Sequence, residues 1–142
     1  MASEITVRTS LEINGTVLKA RPQPTSFIAD MSEQRGPTPG LVAVTVSGVN
    51  VDLSALTAPG MCRIMNLDAT SWVEYGVYDP ETTKFYPLGE VGPGETYVLR
   101  LSRHIGVELG PTGTGTSGPT TNRLRIKGLS AACDVVVEAF GK

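Results

Sequence analysis

Charge is scarce in this chain. Of its 142 residues, 18% are Asp, Glu, Lys or Arg and the formal net charge is −2, where an average soluble domain carries about 25% charged residues. This excludes the basic footprint that holds a nucleic-acid backbone, so no nucleic-acid partner is expected. Ligand chemistry for metals is equally thin. There is one histidine, His104, and there are two cysteines, Cys62 and Cys133, whereas a structural zinc site needs four such ligands. Both cysteines sit in apolar, strand-like runs and read as buried thiols, with a bridge between them left open. No run reaches the roughly 20 apolar residues of a bilayer-spanning helix. The opening MASEITVRTS lacks a basic start followed by an apolar stretch, so no secretory signal and no membrane partner are expected. Catalytic signatures are missing too: there is no G-x-S-x-G elbow and no H-E-x-x-H. The glycine-rich stretch at 111–122 is followed by neither the lysine nor the helix of a phosphate-binding loop. The chain is therefore expected to be no enzyme and to carry no cofactor.

What is present is a succession of short strands. No run shows helical spacing of its apolar residues. Alternation at Leu41 to Val46, Trp72 to Tyr78, Tyr97 to Leu101 and Leu124 to Ile126, broken by turn residues, predicts an all-β fold: an antiparallel sandwich or barrel, jelly-roll-like, in one domain over 1–142. Asn14-Gly15 lies inside Leu11 to Ala20 and predicts a two-residue hairpin turn, with a bulge in one long strand as the alternative. Further strands are expected at Glu4 to Arg8, Ser26 to Met31, MCRIMNL, KFYPL, HIGVELG, RLRIKG and CDVVVEAF. Gln34 to Gly40 reads as a loop, Pro59-Gly60 as a turn, Asn66 to Thr70 as an Asx-type turn, and EVGPGE as a turn around Pro93. Residues 1–10 are free to form an N-terminal arm, and 111–122, without an apolar residue, a flexible loop.

Several single residues have plain structural roles beside functional ones. Trp72, Tyr75, Tyr78, Phe85, Tyr86 and Tyr97 fall within 26 residues. Alternation puts Tyr75 with Val73 and Val77, in the core, and Trp72 on the other face with Glu74, where it suits an interface. Arg123, Arg125 and Lys127 share a face opposite Leu124 and Ile126 and read as a solvated outer face. His104 reads as a polar residue at a strand start.

The order of these motifs carries a resemblance. Asn14-Gly15, Pro59-Gly60, Asn66 to Thr70, the aromatic strand Trp72 to Tyr78, Gly92 to Gly94 and Leu99 to Leu101, with the terminal DVVVEAF, resemble small virion structural proteins of tailed bacteriophages. The likeness spans most of the chain except Pro111 to Asn122. It implies a capsid decoration (cement) protein on the head surface, assembled in the host cytoplasm. It also implies the major capsid protein as partner and self-association, with a trimer favoured. Ile5, Val7, Leu11, Trp72, Tyr78 and Phe85 are then the candidate capsid or subunit contacts. A tail or baseplate subunit is the nearest alternative. A carbohydrate- or host-surface-binding module, using the aromatic cluster, and a small hydrolase using His104 are alternatives of other classes.

Overall fold

The computed structural model describes residues 3–8, 12–13, 16–17, 26–31, 35–102, 104–106 and 122–141. All the regular structure among them is strand: β1 (Ser3–Arg8), β2 (Glu12–Ile13), β3 (Thr16–Val17), β4 (Ser26–Met31), β5 (Thr38–Val44), β6 (Val49–Asn50), β7 (Pro59–Asn66), β8 (Val73–Asp79), β9 (Lys84–Val91), β10 (Thr96–Arg100), β11 (Arg123–Gly128) and β12 (Cys133–Gly141). The strands form two four-stranded antiparallel sheets, ordered β10-β7-β12-β5 and β6-β11-β8-β9, and two two-stranded ribbons, β1-β4 and β2-β3. The two larger sheets pack face to face, so the all-β sandwich expected from alternation is the fold.

The connectivity has a simple rule. From β5 to β12 the strands pair as nested hairpins: β8 with β9, β7 with β10, β6 with β11, and β5 with β12. Successive pairs fall in opposite sheets. The additional pairings β7–β12 and β8–β11 complete each sheet.

The core follows from the period of two. Cys62 and Ile64 on β7 and Val135, Val137 and Ala139 on β12 point inward from one sheet. Val73 on β8, Val91 on β9 and Leu124 and Ile126 on β11 meet them from the other. Burying one Val or Ile side chain fully contributes about 1.5–3 kcal/mol. Tyr75 belongs to this core as expected, and its ring stacks on Tyr97 of the facing sheet with centroids 5.6 Å apart. Gly89, directly opposite on β9, makes room for that ring: a Cβ there would stand 2.6 Å from the Tyr75 hydroxyl oxygen.

A second, smaller core lies outside the sandwich. Ribbon β1-β4 pairs Ile5 with Ala29 and Val7 with Phe27. Val7, Ala29 and Met31 are buried against Met61 of β7, with Ile5 and Phe140 packed beside them. Met61 alternates with the inward Cys62, so the ribbon covers part of the outer face of the β10-β7-β12-β5 sheet.

Several local expectations change. Pro59-Gly60 opens β7 instead of turning; a strand's first residue tolerates proline, and the Gly60 carbonyl accepts a hydrogen bond from the Leu101 amide at 2.9 Å. Thr38 to Gly40 belong to β5, where Pro39 is accommodated because β5 is an edge strand. That strand stops at Val44, leaving Val46 in the following turn and 47% exposed. Strand β9 runs on through Glu90 and Val91, so the turn around Pro93 narrows to Gly92–Glu95. Trp72 precedes its strand, which begins at Val73. Arg123 is buried, not solvated, while Leu124 and Ile126 are buried as expected. For HIGVELG, the described part holds only a bridge from Gly106 to Arg123. In ribbon β2-β3 the pair Ile13–Thr16 leaves Asn14 and Gly15 as its two connecting residues, as the hairpin reading requires. Those two residues, Leu11, and the 111–121 part of the expected loop lie outside the described residues.

Cys62 and Cys133 are free and buried. The cross-strand partner of Cys62 is Ala139, six residues along β12 from Cys133. At about 3.3 Å per residue the two thiols lie roughly 20 Å apart, far beyond the ~7 Å Cα separation a disulfide tolerates.

Candidate interaction surfaces

Three surfaces stand out. The first is the outer face of the β10-β7-β12-β5 sheet. Its side chains come from the positions alternating with the core. One cross-strand row is Thr96, Met65, Val136 and Leu41, and the next is Val98, Arg63, Glu138 and Pro39. Leu41 is 67% exposed and Val98 41%, with Met65 and Val136 half-buried between them. The Arg63 guanidinium donates to the Glu138 carboxylate, through Nε at 3.1 Å and through its terminal Nη2. This ion pair and Thr96 are the polar members of the two rows. Where the ribbon ends, a cavity of about 270 Å³ opens between β1 and the sheet, with Ile5, Val7, Met61, Val98 and Phe140 as its apolar lining and Arg8, Arg63 and Glu138 at its polar side.

The second surface is one end of the sandwich, where turns are tied together by backbone hydrogen bonds. Gly128 donates to the Thr45 carbonyl, Leu129 to Trp72 and Leu67 to Asp134, each at 3.0 Å. At the centre is the buried Asn66. Its Nδ2 donates to the carbonyls of Ser71 and Val91, at 2.8 and 3.1 Å, and its Oδ1 accepts from the Asp68 amide at 3.0 Å. Asp68 Oδ1 then accepts from the amides of Thr70 and Ser71, at 2.8 and 2.7 Å, and these bonds hold its carboxyl below the usual range. Around this network Val46, Leu67, Trp72 and Leu129 are exposed apolar side chains. The indole of Trp72 leans on Gly92, where a Cβ would stand 3.1 Å from its Cη2.

The third is the outer face of the β6-β11-β8-β9 sheet, with cross-strand rows Lys127, Glu74 and Glu90; Asn50, Arg125, Gly76 and Pro87; and Arg123, Tyr78 and Phe85. The Arg125 guanidinium lies over the Tyr78 ring, its Cζ 3.4 Å from the centroid, and its Nε donates to Asn50 Oδ1 at 2.8 Å.

The candidate contacts therefore do not share one surface. Ile5 and Val7 belong to the ribbon, Val7 in its buried core. Trp72 is at the turn end, and Tyr78 and Phe85 are cross-strand neighbours on the third surface. His104 is exposed, its amide donating to Ser102 Oγ at 3.2 Å. Among the described residues no three His, Cys, Asp or Glu side chains converge as a cation site. Alternation passed over Leu41, Met65, Val98 and Val136. The signal for them was present: VVV in β12 and LVAV in β5 are apolar at consecutive positions, the pattern of strands covered on both faces. Comparison of the chain with protein-family models, with curated proteins and with solved structures finds no match.

Proposed function

We propose that this chain is a structural protein of a tailed-phage virion, acting as a capsid decoration protein that binds the outer surface of the mature head. The observation that carries an assembly role is the bare apolar part of the β10-β7-β12-β5 outer face. The chain already covers one part of that face with its own ribbon, burying Val7, Ala29 and Met31 on Met61. The adjoining part, where Leu41 and Val98 stay exposed, continues the same chemistry, with β1 bordering it at Val98 across the cavity. Apolar residues grouped this way mark interaction surfaces more often than scattered ones do. The nested pairing from β8–β9 out to β5–β12 supports a jelly-roll reading, an architecture that serves in viral capsid and lectin domains. A fold alone assigns no function, so the virion context comes from the ordered sequence resemblance, and with it the major capsid protein as partner and a trimer as the assembled form.

The mechanism is linkage. A protein that binds only the expanded lattice stabilises it by mass action, by about 2.7 kcal/mol per site at a hundredfold excess over Kd. The test adds purified protein to emptied, expanded heads. The wild type is expected to bind and raise their disruption temperature. Leu41→Asp is expected to lose binding while its own melting temperature stays within about 2 °C, since exposed sites contribute little to stability. No binding to any particle component sinks the reading, and immunogold label on tails instead of heads moves it to the tail alternative. Exposed Trp72 keeps a carbohydrate-binding reading in view. A glycan-array signal abolished by Trp72→Ala would favour it.

A further inference from the structure

We infer that Arg125 is a prearranged receptor for one carboxylate side chain of a neighbouring protein subunit. Its whole side chain is held in place. The stem lies against Gly48, where a Cβ would come within 3.0 Å of Arg125 Cδ and where the backbone takes φ +92°. Asn50 Oδ1 accepts from Nε at 2.8 Å, and the face of the guanidinium rests on Tyr78 at 3.4 Å. These contacts use one edge and one face. The terminal Nη groups, with four N–H donors, meet no acceptor and no carboxylate among the described residues.

A guanidinium fixed this way has already lost the rotamer freedom that a mobile arginine loses on binding. Its open end presents two parallel N–H groups, the geometry that a carboxylate accepts in bidentate fashion. The site is half-buried, with Tyr78 under the guanidinium and Phe85 across from Tyr78 on β9. Arginine and tyrosine together are the residue types that dominate binding energy at protein interfaces. Gly76, directly across from Arg125, lies close against the β9 backbone at Tyr86 and Pro87, which closes the site on that side. The charges of the surrounding face select the occupant. In one adjoining row Lys127 stands beside Glu74 and Glu90, and in the other Arg123 is buried. A polyanion would therefore gain little from the field and meet two carboxylates, while a single carboxylate needs only Arg125.

The site does not depend on the decoration reading; only the identity of the partner as a virion subunit rests on it. The test follows the Arg125 Nε–Hε correlation of the ¹⁵N-labelled protein by NMR. A capped glutamate peptide is titrated in, with its glutamine counterpart and inorganic phosphate as comparisons. The glutamate peptide is expected to shift the Arg125 signal saturably in the millimolar range and the glutamine peptide to leave it still. Arg125→Lys is expected to remove the response at the Gly76 and Lys127 amides with an unchanged melting temperature. On heads, the same variant should bind at least tenfold more weakly than wild type. A phosphate response at tenfold lower concentration than the peptide's overturns the assignment in favour of a phosphate site. No response to any probe, with Arg125→Lys only lowering the melting temperature, makes Arg125 a strut of the sheet and overturns it as well. If wild-type protein fails to bind heads, the decoration reading falls and the peptide titration alone decides Arg125.

Discussion

Asn66→Ala should be among the most damaging polar truncations in this chain. Asn66 is 1% exposed and sits at the end of β7. Its amide nitrogen donates to the carbonyls of Ser71, just before β8, and Val91, on β9, so one side chain joins the two sheets at their turn end. Its oxygen accepts from the Asp68 amide and sets the turn in which Asp68 holds Thr70 and Ser71. Alanine removes three hydrogen bonds, each a net contribution of about 1 kcal/mol, and leaves two carbonyls facing a void, where an unmatched buried group costs about 1–3 kcal/mol. The expected loss is about 3–5 kcal/mol, a large fraction of the roughly 5–15 kcal/mol of an ordinary domain. At about 2–4 °C per kcal/mol for this size, the melting midpoint should fall by about 10 °C. Guanidinium titration should show a lower midpoint with the same slope, the mark of lost stability without a changed unfolded state. Asn66→Asp serves as the companion. It keeps an acceptor but turns a carboxylate onto two carbonyls, so its folded-state pKa is raised. Its deficit should be full at pH 7 and shrink as pH falls below that raised value. A loss under 1 kcal/mol in Asn66→Ala would refute the reasoning, because it would mean that water satisfies these groups as well as Asn66 does.

Further outcomes follow from neighbouring features. Burial pushes the Cys62 thiol up to about 12, and burial first, then the Asp68 charge, raises Cys133; a thiol reagent at pH 8 should therefore label Cys62 only at the rate of global unfolding, and reduction should leave the native mass unchanged. Asp68 and Asp79 are both held below the usual carboxylate range, Asp68 by the Thr70 and Ser71 amides and Asp79 chiefly by the Thr82 hydroxyl. Their contribution is present above the unfolded-state pKa near 4 and is lost as pH falls through the depressed folded values, so the melting temperature should drop below about pH 4. The double variant Asp68→Asn/Asp79→Asn should flatten that acid limb. Gly76 faces the β9 bulge, where a Cβ would overlap the Tyr86 carbonyl oxygen and stand 2.8 Å from Pro87 Cα; Gly76→Ala should cost about 1–3 kcal/mol, as overpacking does, read from denaturant titration.

Much of the fold was legible because its signals are local. Alternation at Tyr75, Leu124 and Ile126 identified core residues, and Asn14-Gly15 marked a hairpin whose flanking pair forms. What failed was punctuation: Pro59-Gly60 and Thr38 to Gly40 carry turn residues yet lie in strands, since a strand's start and a sheet's edge both tolerate proline. The surfaces were harder to read. Pairing β5 with β12 brings Leu41 beside Val136 across about 95 positions, and no periodicity foretells such a neighbour. Arg125 looked like one of three solvated cations, because nothing in RLRIKG announces that Asn50 and Tyr78 would clasp it.

The two outer faces differ in kind, and that difference bears on assembly. The β10-β7-β12-β5 face is largely apolar around the Arg63–Glu138 pair and already accepts a two-stranded ribbon from its own chain, so it can bury broad area with few directional demands. The β6-β11-β8-β9 face is mixed, with the fixed Arg125 cation set beside opposed cross-strand charges such as Lys127 and Glu74. Broad apolar burial supplies most of an interface's stabilisation, whereas an oriented ionic contact selects the partner and its register. A subunit with one face of each type can join its own copies through the first and read a different neighbour through the second. Leu41→Asp and Arg125→Lys separate these roles. The first should abolish self-association, seen as monomer mass by light scattering, and the second should leave the oligomer intact while weakening attachment to the lattice. Single subunits lose the avidity of the assembled form, so Leu41→Asp weakens head binding as well; the deciding result is Arg125→Lys, where loss of self-association would show that the two faces serve one contact, not two.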